Sequence, residues 1–189
     1  ENKFIFCCFN SNQKILKQAF NLWVEILKQT PKSILWLLSK NKNFLKNLKE
    51  EFEKNNIKSE RIIFSESIPL EKHLARIKFA DLFLDTFPYN AHTTCSDSIW
   101  AGVPVLTKKG KSFHSRVASS LLRTSGLDEL ITNSDEEYIE KALKIANDEK
   151  YLKHLKDKLN KSRDTNPLFN SELYTRKLEE AYEIVLKKH

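Results

Sequence analysis

Glycine is nearly missing from this chain: three in 189 residues. A G-x-G-x-x-G phosphate fingerprint is therefore absent, which argues against a standard dinucleotide dehydrogenase. Methionine is absent and the chain opens on Glu1, so we expect a piece of a longer protein. The three cysteines, Cys7, Cys8 and Cys95, form no Cys-x-x-Cys pair and no disulfide framework. Cys7 and Cys8, inside an apolar run, read as buried thiols, and the odd count without a framework fits a reducing compartment, the cytoplasm. No apolar run is long enough to span a bilayer, and Lys3 leads into a short strand-like run rather than a signal peptide. No His/Asp/Glu group has metal-ligand spacing, no nucleophile elbow appears, and neither repeats nor low-complexity tracts interrupt the chain. Positive charge is in excess, 32 Lys and Arg against 25 Asp and Glu for a formal +7, but no block of five basic residues concentrates it. Without an aromatic–basic surface motif, nucleic acid is not an expected partner.

What is present is alternation. Apolar runs at "KFIFCCF", "SILWLL", "RIIFS", "ADLFLDT", "VPVLT" and "ELIT" read as six strands. Between them lie segments of helical period. Leu16, Phe20, Trp23 and Leu27 share one face of the first, which places Lys14 in that helix's first turn. Phe44 or Leu45, Leu48 and Phe52 mark the second, and Pro69 starts a short helix carrying His73 and Arg76. A helix over about Thr94–Ala101 is closed by Gly102, and another covers Phe113–Arg123. Ser134 and Glu137 make a capping box, a lysine-rich helix covers Tyr151–Ser162, and a last helix follows Pro167. Continuous apolar strands alternating with helices mean a parallel sheet covered on both faces. The fold class is thus α/β, a doubly wound, mainly parallel, six-stranded Rossmann-like sheet of order 3-2-1-4-5-6. Residues 1–165 make the domain, and 166–189 form an appended helical segment.

Such a sheet binds ligands where its winding reverses, between the carboxyl ends of strands one and four. The loops expected there, 10–14 and 86–94, have the most unusual chemistry of the chain. Thr93 and Thr94 open a helix, whose unpaired amides and dipole suit a phosphate; Thr93 also reads as an ordinary N-cap. Lys14, in a first helical turn, would oppose the dipole by about 0.3–1 kcal/mol unless an anion lies nearby. Asp97 either offsets the dipole of its own helix or accepts the hydroxyls of a ribose. His73 and Arg76, three apart, share a face that suits stacking and hydrogen bonding to a base, or a solvated surface. His92 reads as a turn histidine or as a donor to a pyrophosphate or sugar. Asp85 caps the loop below. "KKGKS" at 108–112 adds positive potential but lacks P-loop spacing.

The stretch "ADLFLDTFPYNAHTTCSDSIWAGVPVLT", with "FIFCCFNSNQKI", "RIIFSESIPLEKHLAR", "SRVASSLL" and "PLFNSELYT", resembles the C-terminal catalytic lobe of the O-linked N-acetylglucosamine transferase and SPINDLY-type glycosyltransferases. The likeness runs in order through nearly the whole chain, and its H-T-T-x-x-D core with W-A-G-x-P behind it is specific. The resemblance implies the second half of a two-lobed GT-B enzyme working without metal or other cofactor. It implies UDP or UDP-N-acetylglucosamine as donor-site ligand and a protein hydroxyl as acceptor. It further implies that Lys14, Thr93 and Thr94 hold the diphosphate, that His73 stacks on uracil beside Arg76, that Asp97 binds ribose, and that His92 lies at the phosphate–sugar junction. Two positions depart from the pattern. Leu70 stands where the family often has lysine, and Ser11 where the animal enzymes have glutamine. A non-catalytic module and a guanosine-linked fucose donor are the alternatives. The main acceptor-side histidine, an N-terminal lobe and TPR repeats are expected outside this chain, with the segment 166–189 packing toward that lobe. The fragment alone is expected to be inactive.

Overall fold

A computed structural model describes residues 3–187, so the outermost positions of the two expected segments, 1–2 and 188–189, lie outside the described residues. Six strands form one sheet: β1 (Ile5–Cys8), β2 (Ile34–Leu38), β3 (Ile62–Ser65), β4 (Leu82–Leu84), β5 (Val105–Lys108) and β6 (Ile131–Thr132). Their order is β3-β2-β1-β4-β5-β6 and every pairing is parallel. The doubly wound architecture expected from the alternation is present. Winding runs outward from β1 toward β3 and again from β4 toward β6, so the turning point falls between the adjacent strands β1 and β4.

Burial explains the strand composition. Phe6, Cys7 and Cys8 of β1 and all three residues of β4 are shut off from solvent, which only apolar side chains tolerate on both faces of a central strand. The helices α1 (Lys17–Gln29) and α2 (Lys42–Lys54) share one side of the sheet, where Phe20 meets Phe52 at 4.7 Å between centroids. The later helix α6 (Asp135–Asn147) returns to pack on α1. On the other side α3 (Leu70–Ile77) packs on α4 (Thr93–Trp100), and α4 on α5 (Val117–Thr124), as right-handed crossovers require. Then α7 (Glu149–Ser162) buries Leu155 and Leu159 and ties back to the sheet through Lys156 Nζ, 2.7 Å from Asp81. Gly102, at φ +81°, ends α4 in the left-handed region, and a Cβ there would meet Asn160 Oδ1 at 2.5 Å.

Several boundaries differ from expectation. The segment Asn12–Lys14 is a separate 3-10 turn, closed by Lys14 N donating to the Ser11 carbonyl at 2.9 Å. The first helix begins only at Lys17, after an extended Leu16. Lys14 is therefore not in the first turn of that helix. The expected helix over Phe113–Arg123 divides into a 3-10 turn at Phe113–Ser115 and α5. Pro69 precedes α3 as its cap rather than standing inside its first turn. The capping box at Ser134 is half formed. Glu137 N donates to Ser134 Oγ at 3.1 Å, while the Glu137 carboxylate accepts from Asn133 N instead of returning to Ser134. Finally, α8 (Ser171–Leu186) buries no residue, leaving Tyr174, Leu178, Tyr182 and Val185 exposed along its length.

Candidate functional site

Beneath the mouth between β1 and β4 lies Asp85, fully buried at the carboxyl end of β4. Four donors meet its carboxylate: Thr86 N at 2.8 Å, Ala91 N at 2.6 Å and Asn10 Nδ2 at 3.3 Å on Oδ1, and Thr107 Oγ1 at 2.6 Å on Oδ2. Burial nevertheless dominates and raises its pKa from 3.8 to about 6. Asn10, the residue after Phe9 at the end of β1, spends its amide on Asp85 and on Thr86 Oγ1 at 2.7 Å. Its carbonyl oxygen accepts the hydroxyl of Thr94. One polar chain thus joins the ends of β1 and β4 to the first turn of α4.

Lys14 reaches the same mouth from the other loop. Its ammonium donates to the Asn90 carbonyl at 2.9 Å and lies 3.9 Å from the centre of the Tyr89 ring. Burial lowers its pKa, while Asp85 below acts in the opposite direction. Tyr89 also touches the rings of His92 and His114, at 5.1 and 5.2 Å. His92, not Thr93, is the N-cap of α4; its carbonyl accepts from Cys95 N and Ser96 N, and its side chain makes no capping bond. Burial lowers the pKa of its imidazole; the backbone of His114 acts against this, and Lys14 adds to it. The ring is thus neutral at pH 7, and its Nε2 is buried without a partner.

The amides of Thr93 and Thr94 have no partner among the described residues, which leaves two donors aimed out of α4. Their hydroxyls differ. Thr93 is exposed and its hydroxyl makes no bond among the described residues, whereas the Thr94 hydroxyl hydrogen is committed to Asn10. Of the two hydroxyl donors expected for a phosphate, only that of Thr93 is available; Thr94 offers its backbone.

On the α3 side, Arg76 Nε donates to His73 Nδ1 at 2.9 Å and Arg76 Nη1 to the Glu66 carbonyl at 2.7 Å. This fixes the His73 tautomer: Nδ1 accepts, so the ring's proton sits on Nε2. Burial, and then the Arg76 charge, lower the His73 pKa, so the ring is neutral. Phe9 supports one flank of the pair, with its ring 5.2 Å from that of His73 and 5.6 Å from the guanidinium. Arg76 Nη2 is buried and unpartnered. Asp97, one turn into α4, is half-buried with no side-chain hydrogen bond, and burial raises its pKa. Ser11 is exposed at the lip and Leu70 is 61% exposed at the start of α3. Lys108 turns away to pair with Asp135, so only the rest of the basic loop adds to the field.

The structure therefore brings Lys14, His92, Thr93 and Thr94 to one mouth. His73 and Arg76 flank it through Phe9, which adjoins Asn10, and Asp97 shares α4 with the threonines. Reading the chain alone missed Asn10, Tyr89 and Asn90. The signal for Asn10 was its place at the end of a central apolar strand; Tyr89 and Asn90 carried none that local pattern supplies.

A six-stranded parallel sheet wound in this order, with its polar crevice at the turning point, is a doubly wound, Rossmann-like nucleotide-binding fold. Residues 1–178 match glycosyl transferase family 41, and the chain belongs to that family. It is 38% identical over 183 residues to a probable UDP-N-acetylglucosamine–peptide N-acetylglucosaminyltransferase, SEC, of Arabidopsis thaliana, covering 96% of this chain and 19% of that protein. It is 33% identical over 180 residues to the UDP-N-acetylglucosamine–peptide N-acetylglucosaminyltransferase of Caenorhabditis elegans, covering 95% and 16%. A solved variant of the Thermobaculum terrenum O-GlcNAc transferase superposes with a TM-score of 0.92 at 32% identity, covering 96% of this chain and 36% of that one. The chain thus spans under a fifth of the length of these two curated relatives. Among the described residues no helix is long and apolar enough to cross a membrane.

Proposed function

We propose that this chain is the donor-binding lobe of a glycosyltransferase that moves N-acetylglucosamine, or a related hexose, from a UDP-sugar to a protein hydroxyl. The observation carrying the proposal is the convergence at one mouth of the Lys14 ammonium and the two unbonded α4 amides, beside a neutral His73 keyed to Arg76. A diphosphate placed there takes hydrogen bonds from the Thr93 and Thr94 amides, the Thr93 hydroxyl and Lys14. Uracil stacks on His73, with the Arg76 guanidinium beside it to contact the base. Asp97, without a protein partner, accepts the ribose hydroxyls. His92, neutral at the head of α4 and beside Tyr89, would hydrogen-bond at the phosphate–sugar junction. In the transfer step the bond between the sugar's anomeric carbon and the β-phosphate oxygen breaks as the acceptor oxygen bonds that carbon. The acceptor's proton passes to a base of the lobe outside this chain. The negative charge gathering on the departing UDP is met by Lys14 and the helix amides, a preorganised set that requires no cation.

The bare apolar face of α8 is proposed to cover the first lobe, and TPR repeats beyond it to present the protein acceptor in the cytoplasm. Titration calorimetry of the full-length protein tests the proposal. We expect saturable heat with UDP and UDP-N-acetylglucosamine and a weaker response to GDP; a folded sample silent toward both uridine ligands overturns it.

A second reading, a module that binds nucleotide without transferring sugar, draws on Leu70 and Ser11. The exposed Leu70 puts no charge at the start of α3. Leu70→Lys is expected to tighten UDP binding by about fivefold at most, the effect of one exposed ion pair. Sugar transfer by the unaltered full-length protein onto peptide separates the readings, since the module reading requires none.

A further inference from the structure

We propose that Asp85 and Asn10 are positioning residues of the donor site, holding the α4 amides and the loop beneath Lys14 in the geometry that a diphosphate needs. This rests on the functional reading above. Neither residue reaches a ligand: Asp85 is fully buried and Asn10 is 2% exposed. Their bonds run to the parts that do. Asp85 Oδ1 ties together both ends of the 86–91 loop, through Thr86 N and Ala91 N. That loop carries the Asn90 carbonyl on which Lys14 rests and leads directly into His92. Asn10 takes the remaining approach to Oδ1 and fixes the Thr94 hydroxyl with its carbonyl oxygen. Rotation of the first turn of α4 would break that bond, so the direction of the Thr93 and Thr94 amides is set from below.

Such anchoring could serve the fold alone. The carboxylate itself offers the comparison that separates the two roles. Oδ1 takes the donors of the crevice loop and Asn10, whereas Oδ2, among the described residues, accepts only from Thr107 Oγ1 on β5. A purely structural carboxylate would be equally sensitive on both arms. A positioning one would transmit only the loss on the Oδ1 arm to the ligand.

The test uses the full-length protein with Asn10→Ala, Asp85→Ala, Asp85→Asn and Thr107→Val. It reads UDP-N-acetylglucosamine affinity, thermal stability and backbone amide exchange. Asn10→Ala and Asp85→Ala are expected to weaken the donor tenfold or more. Thr107→Val should lower the melting temperature yet keep affinity within threefold. Asp85→Asn should recover most of the affinity lost in Asp85→Ala, because its carbonyl can accept the same three donors while its amide donates to Thr107 Oγ1. Asn10→Ala binding within twofold of the parent, or Thr107→Val losing as much as Asn10→Ala, overturns the proposal. If Asp85→Ala does not fold, Asn10→Ala against Thr107→Val decides. If the parent binds no UDP-sugar, the functional reading falls and amide exchange decides the anchoring. Faster exchange over residues 86–95 in Asn10→Ala, with the β1 amides still protected, supports it; an unchanged profile overturns it.

Discussion

Replacing Lys14 by alanine is expected to weaken UDP-N-acetylglucosamine binding by about 10- to 150-fold and to slow sugar transfer by more than that. The first figure follows from removing one hydrogen bond to a charged partner, about 1.5–3 kcal/mol. Lys14 should lie at the upper end because its ammonium is already placed. The Asn90 carbonyl at 2.9 Å and the Tyr89 face at 3.9 Å hold it over the mouth before any ligand arrives, so little side-chain freedom is lost on binding. The second figure is larger because charge on the departing diphosphate grows toward the transition state, and a cation aimed at it contributes more there than in the ground state. Calorimetry gives the first quantity and single-turnover transfer by the full-length protein gives the second. Affinity within twofold of the parent would remove Lys14 from the site. Lys14→Arg should restore charge without restoring transfer, since a planar guanidinium cannot occupy the same notch between a ring face and a carbonyl.

The other large effect concerns stability against pH. The Asp85 carboxyl titrates near 6 in the folded chain against 3.8 when unfolded, burial being the chief cause. Between these values the folded state holds a proton that the unfolded state has released. Stability contributed at this residue is therefore complete below about pH 4 and is lost as pH rises through about 6. A shift of about two pH units corresponds to roughly 3 kcal/mol. Asp85→Asn, which keeps the three donors on Oδ1, reverses the bond with Thr107 and cannot ionise, escapes the loss. Relative to the parent, the variant should gain roughly 3 kcal/mol between pH 4 and pH 7, read from urea unfolding at each pH. The groups acting on or near this carboxyl are Cys8 from β1, Lys14, Cys95 of α4 and Tyr138 of α6, whose hydroxyl donates to the Asp85 carbonyl at 3.0 Å. Both cysteine thiols and the phenol are held neutral by burial, so none competes in this window. A stability difference that stays flat from pH 4 to 7 would mean that the carboxyl titrates at its ordinary value.

How far the chain could be read follows from the range of each interaction. Sheet order was legible because it depends on the rhythm of apolar runs, and runs such as "FIFCCF" and "LFL" admit only a central, doubly covered strand. The crevice was legible because the winding rule needs nothing but that order. The placement of Lys14 was not. Apolar spacing from Leu16 through Phe20 pulled the first helix too early, whereas a turn at Asn12–Lys14 closes first and points the lysine at Asn90, 76 residues away. Thr94 misled for the same reason. Its hydroxyl is spent on a residue 84 positions earlier, and nothing in "HTTCSD" announces that bond. Asp85 read as a cap for the loop below it, which was correct as far as it went; its weight comes from donors just past β1 and on β5 that no window around it contains.

His73 without charge has a consequence for how the crevice tells nucleotides apart. Its uncharged imidazole and the uncharged nucleobase meet by shape and dispersion, while the diphosphate meets an ammonium and a helix end. Added electrolyte shields the second encounter far more than the first. Raising ionic strength should then depress the grip on every nucleoside diphosphate together and leave the ranking of uridine over guanosine nearly intact, so that affinity and selectivity can be varied independently with potassium chloride.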